Sequence, residues 1–185
     1  MKIVNTAQRI ALTAALAGSI ALGHAHAATP AQFDPAWTYF VQATEQHNEA
    51  AVEKAQTAFA NLLQAEPTNL VLMAYSGSTT AMLATTTWLP WKKMRFAEDG
   101  LAMLDKSLTL ITPAHDAPLQ HNIPAVLEVK FVAASTFLAV PSFMNRHERG
   151  MKLLNEVANS PLLAKAPEDF RNRVTASCKK QGCKP

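Results

Sequence analysis

The chain has 185 residues, with 17 basic and 14 acidic side chains and a formal net charge of +3. This length suits a single domain. Two of the basic residues, Lys2 and Arg9, lie among the first 27 residues, which hold no acidic residue, so the remaining chain carries a net charge of only +1. Net charge therefore gives no support to a role in binding nucleic acid or an anionic membrane.

The first 27 residues have the pattern of a secretory signal peptide. A positive start at Lys2 and Arg9 precedes an apolar run over residues 10–22, and a small-residue pattern ends at Ala27. The apolar run is too short to span a bilayer, so a retained N-terminal anchor is the less favoured alternative. We expect an exported, periplasmic or secreted protein whose mature chain begins near Ala28 and has no transmembrane segment.

The mature chain opens with two predicted helices. After a short leader over residues 28–33, Asp34 as N-cap and Pro35 at the first helical position favour a helix start. Asn48 is the expected cap of a second helix, which ends before Pro67. Apolar residues recur along both segments at the spacing of amphipathic helices.

This pair of helices resembles a tetratricopeptide repeat, a helix-turn-helix unit of 34 residues. The unit would span residues 36–69, and the positions that carry the resemblance are Tyr39, Ala43, Ala55, Phe59 and Pro67. Leu62 departs from the pattern because a small residue is usual there. The resemblance implies antiparallel helix pairs stacked as a short, degenerate right-handed superhelix with an extended concave surface.

A second unit begins at Leu70 but is longer than the first. Gly77 falls on the small position of its first helix, and Gly100 falls on that of its second helix, 45 residues after Ala55 instead of 34. The extra 11 residues cover roughly residues 84–93. We expect lengthened helices and an inserted loop, broken by proline, between them.

A third unit and a capping helix complete the predicted array. A helix starts at residues 122–124 and runs to about Val140, and the next helix carries Gly150 in a string that parallels the one at Gly100. A last helix opens near Pro167 with Phe170 as an inner residue. No segment alternates as a half-buried strand does, so the fold class is all-α. The predicted domains are a signal peptide over 1–27, a helical domain over 28–177 and a tail over 178–185.

The tail contains both cysteines, Cys178 and Cys183. In an exported protein such a pair most often forms a disulfide. A redox or metal site is the alternative, but no further ligand lies nearby in the sequence.

Signatures of catalysis are absent from the sequence. It has no glycine-rich phosphate loop, no nucleophile elbow and no zinc-binding helix. Four histidines follow the signal peptide, scattered over helix ends and loops, where solvated or capping roles account for them: His47, His115, His121 and His147. We therefore predict a protein that is not an enzyme and has no metal site and no cofactor.

Two groups of residues are candidates for binding. Tyr75 and Ser78 lie in a small polar cluster of an apolar helix and serve either helix packing or a concave peptide groove. The insertion places aromatic rings beside positive charge, in Trp88, Trp91, Lys92 and Lys93. These side chains form either a packed hinge, with the tryptophans covering the ends of the core, or a rim that binds an acidic peptide group.

Charged residues of the third unit form the remaining candidates. Glu128 and Lys130 interrupt an apolar helix, and Arg146 follows its end. We expect Glu128 and Lys130 to face solvent in the groove or residues across it, and Glu128 to form an ion pair with Arg146 or Lys92.

Three functional hypotheses follow. The leading one is an adaptor or scaffold of the bacterial cell envelope that binds an unidentified protein or peptide and no nucleic acid. The alternative is a small-ligand-binding protein or an enzyme with a cation- and tryptophan-lined pocket near residues 88–95, which requires a deep cavity holding titratable groups with perturbed pKa values. The third is a spacer within an export or envelope-maintenance system.

Overall fold

The computed structural model describes residues 29–45 and 49–183. In these residues seven α-helices pack against one another, which confirms the all-α class. They are α1 (Pro30–Glu45), α2 (Glu49–Ala65), α3 (Leu70–Met82), α4 (Pro90–Thr109), α5 (Ala125–Ala139), α6 (His147–Ala158) and α7 (Glu168–Gln181). Short 3-10 turns join several of them, at Leu83–Thr85, Pro113–Asp116, Ser142–Met144 and Pro161–Lys165.

Consecutive helices pack as pairs, α1 with α2, α3 with α4 and α5 with α6, and α7 packs on α6. Helix α3 is the centre of the molecule, since it also contacts α2 and α5 and nearly every one of its side chains is buried. The Asn69 side chain begins α3 by accepting hydrogen bonds from the backbone N–H groups of Val71 and Leu72. The pairing agrees with the predicted units, although the tetratricopeptide resemblance itself stays a prediction.

Glycines set the closest approaches between paired helices. A Cβ atom added to Gly77 would lie 2.9 Å from the backbone oxygen of Gly100, and one added to Gly100 would lie 2.5 Å from the backbone oxygen of Gly77. At Gly150 the added atom would instead meet the Leu138 side chain at 2.8 Å. Gly77, which the sequence places at the small position of its helix, therefore serves close helix packing, because any side chain at this crossing would push α3 and α4 apart.

The first helix begins earlier than the sequence pattern predicts. Its first turn is already formed at Phe33, whose N–H donates to the Thr29 carbonyl, while Pro35 lies inside the helix. The prediction of Asp34 as N-cap is wrong for this reason. The Phe33 ring is fully buried against the rings of Phe59 and Tyr75, each 5.7 Å away. Burial of this ring favours the additional helical turn.

Two predicted boundaries near proline and cysteine also shift. Helix α4 begins at Pro90, at the position where a missing N–H is tolerated. Trp91, Lys92 and Lys93 therefore lie in its first turns, and the loop is confined to the residues just before Pro90. Helix α7 continues through Cys178, so the boundary predicted at residue 177 falls within a helix.

A small β-hairpin lies where the sequence gives no strand signal. Residues Pro118–Gln120 and Ile123–Pro124 pair antiparallel. His121 and Asn122 form the turn with positive φ angles of 48° and 56°, a conformation that asparagine tolerates well. Strands this short cannot show a periodic pattern in the sequence.

The cysteine pair is confirmed as the disulfide Cys178–Cys183. Cys178 is buried and packs in the main core, so the disulfide ties Cys183, which follows α7, to this helix. No helix within 29–45 and 49–183 is long and apolar enough to cross a membrane. The predicted signal peptide, Asn48 as a cap and His47 lie outside the described residues.

Candidate functional site

A groove lies among the helix pairs of the described residues. It has a volume of about 900 Å³. Its walls come chiefly from α1, α3 and α5, which are the first helices of the three pairs, and from α7. The apolar side chains that line it include Trp37, Phe40, Val52, Met82, Phe131, Val132 and Val140.

The aromatic section of the groove is built by α1 and α3. Trp37 and Phe40 are three residues apart on α1, so they share one helix face, and their rings stack at 5.5 Å. Both rings meet the ring of Tyr75 edge to face, at 5.6 Å and 5.1 Å. Phe59 of α2 stacks on the Tyr75 ring at 4.9 Å. The interlocked rings hold Tyr75 in a fixed position in the groove wall.

Tyr75 and Glu128 form a buried polar pair beside this aromatic section. The Tyr75 hydroxyl donates a hydrogen bond of 2.9 Å to Oε1 of Glu128. Only 2% of Tyr75 and 1% of Glu128 are exposed. The second carboxyl oxygen of Glu128, Oε2, has no hydrogen-bond partner among the described residues.

Burial changes the acid–base behaviour of both groups. Loss of solvation raises the pKa of Glu128 from 4.5 to about 8, although the Tyr75 hydrogen bond and the Arg173 charge act in the opposite direction. Burial, followed by the Glu128 charge, raises the pKa of Tyr75 well above its usual value. Both groups are therefore neutral near pH 7, which is how the fold accommodates a carboxyl group in an apolar interior.

Arg173 of α7 places a positive charge in the groove wall. Its guanidinium lies over the Trp37 ring, 4.8 Å from the centroid, and over the Phe170 ring at 5.5 Å. Asp169, one helical turn earlier, is 3.8 Å from the guanidinium and is largely exposed. The arginine is thus held by ring stacking more than by its ion pair.

Ser78 and Thr136 supply a second polar contact in the groove wall. The Thr136 hydroxyl donates to the Ser78 hydroxyl at 2.8 Å and also lies 2.9 Å from the Val132 carbonyl oxygen. Both residues are buried. Ser78 therefore joins α3 to α5 as well as lining the groove.

The structure separates the residues that the sequence grouped as one binding site. Tyr75 and Ser78 line the groove, and Glu128 is bound beneath it to Tyr75. Lys130 pairs with Glu156 at 2.7 Å, and Arg146 pairs with Asp105 at 2.9 Å. The remaining four lie at the tip between α3 and α4, outside the groove lining: Trp88, Trp91, Lys92 and Lys93.

Two predictions about these residues are wrong. Glu128 neither faces solvent nor pairs with Arg146 or Lys92, because it is buried and accepts a hydrogen bond from the Tyr75 hydroxyl of α3. The tryptophans do not cover the ends of the core, since Trp88 is 83% exposed and Trp91 is 67% exposed. The groove is therefore not the pocket expected near residues 88–95, since none of these residues lines it.

Four residues that line the groove were not predicted from the sequence as binding residues: Trp37, Phe40, Phe131 and Arg173. A signal for the first two was present, because Trp37 and Phe40 share a helix face with the buried Phe33 and Ala36. Arg173 gave no such signal, since its position depends on how α7 crosses α1.

Among the histidines in the described residues, His115 caps a 3-10 turn with Thr112 and His121 lies 2.7 Å from Asp34.

The described part of the chain contains no group of three or more histidine, cysteine or acidic side chains that could hold a metal ion. Comparison with family models, curated proteins and solved structures finds no match to this chain. The geometry of the groove therefore carries the functional argument.

Proposed function

We propose that this protein binds a small molecule with an extended apolar body in the groove between α1, α3, α5 and α7. The observation that carries the proposal is the cavity itself, about 900 Å³ lined mainly by aromatic and aliphatic side chains. Small-molecule binding sites commonly have this size and this mixture of apolar walls with a few polar groups. A ligand that covers such walls removes apolar surface from water, which favours binding.

Arg173 supports an anionic group at one end of the proposed ligand. Its guanidinium lines the groove and lies above Trp37, where a carboxylate or sulfonate could accept its hydrogen bonds. Asp169 competes weakly for the same cation, because exposed ion pairs contribute little. Lys180 and the exposed Glu45 and Glu49 also line the groove, so the proposal of an anionic amphiphile as ligand rests on the position of Arg173 above Trp37.

A polypeptide segment is the second candidate for the groove. The groove follows α1, α3 and α5, the face that the tetratricopeptide resemblance implies for peptide binding. The charged residues expected to bind an acidic peptide lie elsewhere, so a peptide would have to bind through apolar side chains. The adaptor role in the cell envelope depends on this second candidate.

An exported location forms part of the proposal. The signal-peptide pattern of residues 1–27 supports it, and so does the Cys178–Cys183 disulfide, because disulfides persist in oxidising compartments. The proposal includes binding only and assigns no catalytic step.

Ser135→Trp tests whether the groove is the binding site. Ser135 is an exposed residue in the groove wall, so a tryptophan there fills the groove without entering the core. We expect the affinity for 1-anilinonaphthalene-8-sulfonate, measured by fluorescence titration of the full chain, to fall roughly tenfold or more. Ala102→Trp adds an indole at an exposed position of α4 outside the groove, and it should leave the affinity unchanged.

The same titration tests the charge preference. Displacement of the probe by dodecanoate should weaken in Arg173→Gln, whereas displacement by the uncharged dodecanol should not. Equal losses for both competitors would remove the anionic group from the proposal.

Equal probe affinities for Ser135→Trp and Ala102→Trp would overturn the small-molecule site and favour the peptide candidate.

A further inference from the structure

Exposed apolar side chains are concentrated at the tip between α3 and α4. Of the five large hydrophobic side chains exposed in the described residues, three lie within residues 88–94. Trp88 is 83% exposed, Trp91 is 67% exposed and Met94 is 38% exposed. Such a cluster is unfavourable in water, so an exposed group of this kind marks an interaction surface.

Positive charge accompanies these side chains. Lys92 and Lys93 are exposed and form no ion pair within the described part of the chain, and Arg95 makes only an exposed pair with Asp99 at 3.5 Å. No acidic residue occurs between Glu66 and Glu98. The tip is therefore locally cationic although the mature chain is nearly neutral, and this local charge is what a surface a few ångströms away would sense.

The shape of the tip decides between possible partners. It is the turn of a helix hairpin, formed by the end of α3, the 3-10 turn Leu83–Thr85 and the start of α4. A protein partner would need a matching pocket for two projecting indoles. A phospholipid surface needs none, because indole rings partition into the headgroup layer while lysines remain with the anionic headgroups.

We propose that the tip formed by residues 88–95 docks the protein on the surface of a membrane that contains anionic phospholipid. Trp88 and Trp91 insert among the headgroups, and Lys92 and Lys93 contact lipid phosphates. This surface is separate from the groove and does not depend on what the groove binds. The two lie close together, however, since Ala84 and Thr85 line the groove only a few residues before Trp88.

Co-sedimentation with vesicles tests the docking surface in the full chain. The vesicles are phosphatidylcholine with or without phosphatidylglycerol. We expect Trp88→Ala combined with Trp91→Ala to lower the partition constant for both kinds of vesicle. Lys92→Gln combined with Lys93→Gln should lower it roughly thirtyfold for the anionic vesicles alone, since each lysine near such a surface contributes about 1 kcal/mol. Any binding by residues 1–27 is common to all of these chains.

A matched control removes similar groups elsewhere. Phe143→Ala combined with Lys165→Gln and Lys179→Gln deletes one exposed ring and two exposed lysines outside the tip. This variant should bind vesicles as the wild type does. Circular dichroism verifies that every variant is folded, as expected for exposed positions.

A second measurement reports the tip directly. Vesicles with brominated acyl chains should quench the tryptophan fluorescence of the wild type much more than that of Trp88→Phe/Trp91→Phe, which keeps only Trp37. Equal quenching, or vesicle binding that none of the tip substitutions changes, would overturn the proposal. Sedimentation of a dimer that dissociates on Trp88→Ala/Trp91→Ala would also overturn it and assign the tip to self-association.

Discussion

At the residue scale, the Tyr75 hydroxyl and the Glu128 carboxyl meet across 53 positions of sequence. Tyr75 lies in α3 and Glu128 in α5. The local sequence gives no reason for an acidic residue at position 128, because the rest of α5 is almost entirely apolar. The pair is tolerated because burial favours the neutral carboxyl, which can accept the tyrosine hydrogen bond without a net charge in the interior.

Glu128→Gln tests this protonation state. The pKa of Glu128 in the folded chain is about 8, against an ordinary value of 4.5, so the folded state keeps a proton that the unfolded chain releases between these values. The stability contributed by this group is therefore present at low pH and lost as the pH rises through the folded pKa. Glutamine keeps an acceptor for Tyr75 but does not titrate. We expect the wild-type free energy of unfolding to fall relative to the variant, by at most about 1.4 kcal/mol per pH unit.

Urea unfolding at several pH values within that window measures the difference. Tyr75→Phe is the companion variant, since it removes the hydrogen bond but retains the titrating carboxyl and the nearby Arg173 charge. This substitution should lower the free energy of unfolding, and the slope of that free energy against pH should stay as in the wild type. Parallel profiles for the wild type and Glu128→Gln would show that Glu128 is ionised in the folded protein.

At the scale of elements, the helix pairs differ in how tightly they cross. Gly77 and Gly100 face each other backbone to backbone between α3 and α4, whereas Gly150 of α6 faces mainly the side chain of Leu138. Backbone atoms cannot move aside without shifting a whole helix, while a leucine can change its rotamer. The α3–α4 pair is therefore the rigid centre from which the groove wall and the exposed tip both extend.

Gly100→Ala should consequently be more disruptive than Gly150→Ala. We expect the first substitution to lower the free energy of unfolding by about 2–3 kcal/mol, because the new methyl group overlaps the Gly77 carbonyl. The second should lower it by clearly less, since alanine also favours the helical backbone over glycine. The comparison uses the denaturant midpoints of the two variants, provided that the slope of the free energy of unfolding against denaturant concentration is unchanged. A larger loss of stability in Gly150→Ala than in Gly100→Ala would contradict the difference in packing.

At the scale of the whole molecule, the first and last described helices meet. Arg173 of α7 stacks on Trp37 of α1, and the Phe170 ring of α7 meets Phe131 of α5 at 5.4 Å. An open stack of repeats would leave its two ends apart. The contact between α1 and α7 makes α7 one wall of the groove. Because it links the first described helix to the last, we expect all seven helices to unfold as a single cooperative unit.

Phe170→Ala tests this cooperativity. Removal of a fully buried ring should lower the free energy of unfolding by about 3 kcal/mol or more. In a Trp88→Phe/Trp91→Phe background, the fluorescence of Trp37 reports on α1 and on the contacts of this ring with Tyr75 and Arg173. We expect the Trp37 transition to shift together with the circular dichroism of all helices. If the Trp37 transition stays at its original midpoint, α1 unfolds independently of α7 and the end-to-end contact has no energetic consequence.

Much of the element structure could be predicted because its signals are local. Proline near the first turn indicated the start of α7, and Phe170 was identified as an inner position of this helix. A glycine at the small position of α3 indicated the close packing at Gly77. The start of α1 could not be predicted, since the additional turn depends on a distant site for the Phe33 ring. The β-hairpin was missed because strands of two and three residues have no periodicity.

The sequence by itself determined the all-α class, the approximate helix bounds and the cysteine pair, since each follows from neighbouring residues and chain geometry. Only the tertiary structure decided which side chains meet. It paired Glu128 with Tyr75, brought Arg173 to Trp37 and left Trp88 and Trp91 exposed. These outcomes depend on how whole helices cross, and a crossing is fixed by the sum of many packing contacts that no short stretch of sequence encodes.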